Sequence, residues 1–186
     1  EPTSVCNLRC IMCFQADSAL SKNKRFMGFM DFGLYRRLID EGAERGLSAV
    51  VLASRGEPTL HPRFVDMVAY ARERGILDVK INTNATKLTK EYSRRLLAAG
   101  PNTVVFSVDS AEKEDFERIR VGAKFEKVVE NIRTFKKVRE EEFPHVPLRT
   151  RISMVVVDDK QDCDAARRLW APLVDEFAIG RAIDRV

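Results

Sequence analysis

The stretch CNLRCIMC, Cys6 to Cys13, places three cysteines within eight residues, spaced x3 and then x2. Three is an odd number for a cysteine cluster. A closed structural zinc site takes four ligands, a disulfide framework takes an even count, and cuboidal iron–sulfur clusters are normally held by four thiolates. Three thiolates on one loop that converge on a single centre leave one position open, as catalytic metal sites do. Asn7, Arg9 and Gln15 interleave with the thiols, so the segment has no clean apolar face for burying cysteines as packing residues. The remaining cysteine, Cys163, lies in DDKQDCDAARRLWAPL, which reads as a helix start where a lone cysteine packs. The rival readings are a non-catalytic binding domain stabilised by zinc, with Cys163 as a fourth ligand, or by an iron–sulfur cluster, and an electron carrier with Cys163 as fourth cluster ligand.

The elements that must position such a loop follow from the hydrophobic pattern. SAVVLAS (48–54), DVKIN (78–82), TVVFSVD (103–109), RTRISMVVV (149–157) and EFAIG (176–180) read as buried strands, with PTSV before Cys6 as the first of the series. Helical stripes lie between them: Tyr35, Leu38, Ile39 and Ala43; Phe64, Met67, Val68 and Ala71; and Phe125, Val128, Val129, Ile132 and Phe135. Gly46, Gly75 and Gly100 each stand just past a helical segment, where a left-handed cap favours glycine. Repeated strand–helix alternation predicts a parallel sheet covered by helices, with ligand chemistry at the carboxyl ends of the strands. Those ends are 6–15, 54–61, 82–86, 107–110 and 157–160. KVREEEFPHVPLR is the most loop-like stretch.

At 186 residues the chain is expected to form one domain, 1–186. Its abrupt ends suggest an excised part of a longer chain. The 45% hydrophobic and 32% charged composition is that of a soluble globular protein, with no apolar run of membrane-spanning length. The net charge of +4 comes from 32 basic and 28 acidic residues mixed along the chain, which does not indicate a nucleic-acid partner. Clustered thiols without secretory features point to a reducing compartment, the cytoplasm. No nucleophilic triad and no phosphate-binding glycine loop appear. His61 and His145, far apart in loop-like segments, carry no assigned role.

The cysteine spacing resembles the signature of the radical S-adenosylmethionine enzymes, and other motifs accompany it. SRGEPTLHP (54–62) resembles the family's Gly-Gly-Glu-Pro motif, NTNATKL (82–88) its Thr-Asn-Gly segment, and FSVDS (106–110) its Ser-x-Asp segment. RIRVGAKFEKVVENI (118–132) resembles the Arg-Gly helix entry that follows. These matches fall in order at successive strand ends. Three positions depart from the pattern: Arg55 replaces the first glycine, Ala85 the glycine of Thr-Asn-Gly, and Met12 a common aromatic.

The resemblance implies an open, partial (β/α)6 barrel of TIM-barrel type that binds a [4Fe–4S] cluster and S-adenosylmethionine. Cys6, Cys10 and Cys13 would ligate three irons, and the cofactor's amino and carboxylate groups would chelate the fourth. Glu57 would accept from the amino group, with the Gly56 backbone alongside. Thr83 would lie near the ribose, Ser107 and Asp109 near the ribose or carboxylate, and Met12 against adenine through its backbone. Arg120 would neutralise the methionine carboxylate; Arg151 is a further candidate for a carboxylate or substrate anion. Implied partners are a reductase or a flavodoxin- or ferredoxin-type electron donor, and a peptide, protein or small-molecule substrate. The style of the motifs is most similar to members carrying a C-terminal auxiliary-cluster domain of the SPASM type.

Overall fold

The computed structural model describes residues 1–23, 25–53 and 55–182. Five parallel strands form one sheet in chain order: β1 (Ala49–Leu52), β2 (Asp78–Thr83), β3 (Thr103–Ser107), β4 (Arg149–Val156) and β5 (Glu176–Arg181). A parallel pair requires a crossover connection. The helices supply it: α1 (Ser18–Ser21) and α2 (Phe32–Glu44) precede β1, and α3 (Phe64–Glu73), α4 (Lys90–Ala98), α5 (Lys113–Ile119), α6 (Phe125–Glu142) and α7 (Cys163–Trp170) follow in turn. The sheet is open, a partial barrel of the expected type.

The expected first strand, PTSV, does not join that sheet. Thr3 makes only an isolated antiparallel bridge with Phe29. Pro2 has no N–H for a ladder, and the Thr3 hydroxyl donates to the Gly28 carbonyl at 2.7 Å while accepting from the Val5 N–H. The segment instead runs beside the loop after β1, where the Val5 carbonyl accepts from the Glu57 N–H at 2.9 Å. The approach is so close that a Cβ on Gly56 would stand 2.3 Å from the Thr3 carbonyl oxygen, so this position requires glycine. Ser54, which opens the SRGEPTLHP stretch and ends the SAVVLAS strand reading, lies outside the described residues.

Side chains alternate across a strand. Ile81, Phe106 and Ile152 face the helices and are almost fully buried. The α6 stripe covers them, and Phe135 meets Phe106 edge-on at 5.3 Å between ring centroids. Burying each such aromatic stabilises the fold by about 1.5–3 kcal/mol. The α3 stripe is likewise buried, whereas Leu38 of α2 is half exposed. Gly46, Gly75 and Gly100 end their helices at φ of 82°, 82° and 74°. The stretch read as loop-like is in part the last turns of α6, which runs to Glu142. Lys136 pairs there with Glu140, and Arg139 reaches the Leu148 carbonyl and Asp175. No described helix is long and apolar enough to cross a membrane.

One backbone position is strained. Ala85, just past β2, has φ 61°, a conformation that costs a non-glycine residue about 1–2 kcal/mol. Its methyl is fully buried, and Asn131 of α6 donates its amide to the Ala85 and Thr86 carbonyls at 2.8 and 3.2 Å. Replacing Asn131 by leucine leaves those carbonyls unpaired, so Asn131→Leu is expected to lower stability by about 1–3 kcal/mol in denaturant titration. Ala85→Gly trades strain relief against a lost methyl and should change stability by less than about 1 kcal/mol. Ala85→Val, β-branched in a left-handed position, should cost roughly 1–3 kcal/mol.

Candidate cofactor site

The carboxyl ends of the strands enclose one cavity of about 310 Å³. Its walls include Cys6, Cys10 and Cys13 from the first loop, Gly56 and Glu57 after β1, and Thr83 and Asn84 after β2. Ser107 at the end of β3, Arg120 after α5, and Met12 complete the lining among the candidate residues. Of the eleven positions singled out by sequence, Asp109 and Arg151 alone do not line it. Asp109 lies beneath Arg120, and Arg151 sits deeper along β4.

The cysteine loop is held from several sides. Its backbone bonds to the turn after α5, with the Arg9 N–H donating to the Val121 carbonyl and the Ile11 N–H to Ile119. Asn7, between the first two cysteines, donates to the Thr86 hydroxyl at 2.9 Å and accepts from the Asn84 amide at 3.0 Å. Buried Gln15 donates to the carbonyls of Ser4 and Arg55, tying the loop to the Gly56 turn. Asn84, the asparagine of the Thr-Asn-Gly-like segment, is one positioning residue; Asn7, Gln15 and Asn131 are others to which the motifs gave no such role. Their only signal is a short polar side chain within or behind a strand-end loop.

All four cysteines are free thiols of intermediate exposure. Among the described residues, no three His, Cys, Asp or Glu side chains converge on a point as ligands of a single metal ion do. The three thiols instead share the wall of one cavity, which suits a cuboidal cluster that takes each thiolate on a different iron. Cys163 lines a different cavity, with Val156 and Ile179. Burial pushes the Cys10 thiol up to about 11, with the Arg120 charge as the main opposing influence. Burial also raises Cys6, against a hydrogen bond from the Leu8 N–H.

Glu57 is 2% exposed. Its Oε1 accepts from the Thr59 N–H and hydroxyl and from the Thr83 hydroxyl, at 3.1, 2.6 and 2.7 Å. Its Oε2 accepts from the Asn84 N–H at 2.7 Å. Burial raises this carboxyl above its ordinary value, and the hydrogen bonds from Thr59, Asn84 and Thr83 pull it back. Four donors aimed at two oxygens suit the charged carboxylate, which accepts without donating. Oε2, with one partner, keeps capacity for a further donor from the cavity. Glu57 also caps the short 3-10 turn Pro58–Leu60, so one carboxyl group both caps that turn and lines the cavity.

Asp109 is fully buried and Arg120 nearly so. Arg120 Nε approaches Asp109 Oδ2 to 2.7 Å, but neither atom has an aligned hydrogen-bond partner, so the contact is one of charges. Asp109 Oδ1 accepts from the Val155 N–H at 2.9 Å. Burial raises the Asp109 carboxyl, with Arg120 as the largest force lowering it. The pair therefore aims a buried guanidinium into the cavity, close to Cys10. His61 has both ring nitrogens engaged, with the Met30 carbonyl and the Arg63 N–H.

Three thiols, a carboxyl group and a guanidinium line one cavity at the strand ends of an open parallel barrel, a set that could hold a thiolate-bound cofactor together with a zwitterionic ligand. The chain belongs to the radical SAM superfamily, whose family model matches residues 1–165. It is 37% identical over 191 aligned positions to the tungsten-containing aldehyde ferredoxin oxidoreductase cofactor-modifying protein of Pyrococcus furiosus, covering 98% of this chain and 50% of that one. It is 34% identical over 129 residues to the mycofactocin maturase of Mycobacterium tuberculosis, covering 69% of this chain and 31% of that one. Among solved structures, Streptococcus suis SuiB bound to the precursor peptide SuiA superposes with a TM-score of 0.77 over 98% of this chain and 38% of SuiB, at 19% identity. The chain thus spans half or less of the length of these proteins. Superfamily members are enzymes, and membership implies a [4Fe–4S] cluster and S-adenosylmethionine.

The raised Cys10 gives a pH test. Only thiolate reacts with alkylating reagents, so cluster-free protein should label Cys10 slowly at pH 8. The rate should keep climbing as pH rises toward about 11, read by mass spectrometry of iodoacetamide adducts. A Cys10 rate that levels off near pH 9 would contradict the burial assigned to it.

Proposed function

We propose that this chain is the catalytic core of a radical S-adenosylmethionine enzyme acting on a peptide, protein or small metabolite. The observation that carries the proposal is the shared cavity, in which three cysteines face Glu57 and Arg120. Cys6, Cys10 and Cys13 would hold the cluster. Because Cys6 and Cys10 are raised by burial, their ligation releases protons, and assembly is favoured as pH rises. When bound, these groups would supply one-electron reductive cleavage of the sulfonium, the source of a 5′-deoxyadenosyl radical for hydrogen abstraction from an unactivated C–H bond.

The protein's own part is binding, orientation and exclusion of water. Glu57 Oε2 would accept from the cofactor's ammonium, while its other bonds keep the carboxylate fixed. Arg120 would face the methionine carboxylate, since a guanidinium fork suits that group. Asp109 holds Arg120 from behind and so acts through it. Thr83 has its hydroxyl committed to Glu57, which makes it a support of that carboxylate as well as a ribose-side residue. Ser107 presents a hydroxyl at the end of β3, and Met12 lines the cavity from the cysteine loop.

A peptide substrate is supported by the likeness to SuiB, solved with a precursor peptide, and to a mycofactocin maturase. The cofactor-modifying relative favours a small metabolite. Electrons would come from a reductase or a flavodoxin- or ferredoxin-type donor, and the cytoplasm is the compartment this chemistry suits. The same kinship supports a core that works with further domains.

Anaerobic reconstitution followed by iron analysis and S-adenosylmethionine titration tests the assignment. Replacing any one of Cys6, Cys10 or Cys13 by alanine should abolish stable cluster incorporation, and Cys163→Ala should not. Arg120→Gln should keep the iron and weaken S-adenosylmethionine binding about tenfold or more, with Arg120→Lys less affected. Arg120→Gln also strands buried Asp109, so its melting temperature should fall. Retention of the cluster in a Cys10→Ala protein, or loss of it in Cys163→Ala, would overturn this reading.

A further inference from the structure

We propose that Arg151, together with Asn82 of the cofactor-cavity wall, forms a binding layer inside the open barrel that takes an anionic oxygen group, carboxylate or phosphate, of the substrate. That the ligand is a substrate rests on the function proposed above; that an anion binds there does not. Register places Asn82, Val105 and Arg151 in one row across β2, β3 and β4. The row lies on the face opposite the helix-covered one, since Ile81, Phe106 and Ile152 occupy the alternate positions. It lies two residues before the paired Ser107 and Ser153, of which Ser107 lines the cofactor cavity.

The row is buried at its centre, and the residues on either side of Val105, Asn82 and Arg151, are half-buried. Val105 is 3% exposed although it takes no part in the helix-side core. On either side of it, Asn82 Oδ1 and Arg151 Nε are buried and have no hydrogen-bond partner among the described residues. An unmade buried bond costs about 1–3 kcal/mol, more for a charged group, and native structures leave few. The neighbouring carboxylate does not solve the problem. Glu176 stands beside Arg151 in register, yet its Oε1 faces Arg149 Nη1 at 3.2 Å. No described carboxylate lies within 4.0 Å of Arg151. The guanidinium thus lacks a counter-charge, and the amide oxygen beyond Val105 lacks a donor.

The complement is a molecule with an anionic oxygen at Arg151 and an N–H or O–H at Asn82. A peptide carboxylate with its amide, or a phosphate with a nearby hydroxyl, has that form. Asn82 also lines the cofactor cavity and Arg151 does not, so the layer adjoins that cavity, and Arg151 serves substrate choice and leaves the cofactor carboxylate to Arg120.

Melting temperatures of the protein measured against sodium acetate and sodium phosphate, each at fixed ionic strength, test the layer. At least one anion should stabilise the wild type: acetate alone points to a carboxylate, phosphate alone to a phosphate. Arg151→Gln should weaken that apparent affinity about tenfold or more. Arg151→Lys, which keeps the charge, should weaken it less and serves if the glutamine variant does not fold. S-adenosylmethionine affinity of the reconstituted Arg151→Lys protein should stay within about twofold of wild type. Equal responses of all three proteins, or no anion response in wild type, would mean that water meets these atoms and would overturn the proposal. A tenfold loss of S-adenosylmethionine affinity on replacing Arg151 would return the residue to the cofactor and overturn it as well. An intact anion response in a wild type that does not bind S-adenosylmethionine would strike the function proposed above and leave this site standing.

Discussion

The Glu57 carboxylate is the constraint on which the site depends. It is buried at the junction of two strand-end loops, and it is satisfied only if both are in place. Thr59 comes from its own loop, Thr83 and Asn84 from the end of β2. Each donor is charge-assisted, a class worth about 1.5–3 kcal/mol. Removing the charge from water costs several kcal/mol, so any loss of register between β1 and β2 would leave a buried anion short of partners. The parallel ladder, which pairs Leu52 with Ile81, fixes that register.

From this junction the order spreads outward. Asn84 continues through Asn7 into the cysteine loop, and Asn131 supports the same turn from α6. The strained Ala85 persists because buried packing and the Asn131 amide over-determine it. On the other flank, Asp109 and Arg120 repeat the design with a buried ion pair. Such a pair gains little net stability, but it fixes a cation beside Cys10. Helices on the outside therefore supply the hydrophobic stabilisation, and polar links at the strand ends convert it into placement of three thiols.

Much of this was legible in the sequence because periodicity and motif spacing carry it. Five strands, the buried faces of α3 and α6, the three glycine caps and the gathering of residues at strand ends all follow from hydrophobic pattern and turn chemistry. PTSV failed as a strand because its pairing partner is a loop and its register is spent on Gly28 and Glu57, contacts that no local pattern encodes. The last turns of α6 read as loop because their charges hide the helix, which lysine–glutamate pairs and Arg139 anchoring sustain. Asn7, Gln15 and Asn131 were invisible for a related reason. A single amide reveals its role only when the groups it serves, up to 79 residues away, are brought to it. Likewise, alternation along β4 puts Arg151 on the inner face, but its missing counter-charge is seen only once β5 is in register.

The central claim is that three thiolates leave a cluster iron open to an exchangeable ligand in this cavity. Electron paramagnetic resonance of anaerobically reconstituted, reduced protein, with and without S-adenosylmethionine, tests it most directly. A [4Fe–4S]⁺ signal that changes when S-adenosylmethionine is added is expected. A cluster signal indifferent to that addition, or zinc in place of the cluster, would contradict it.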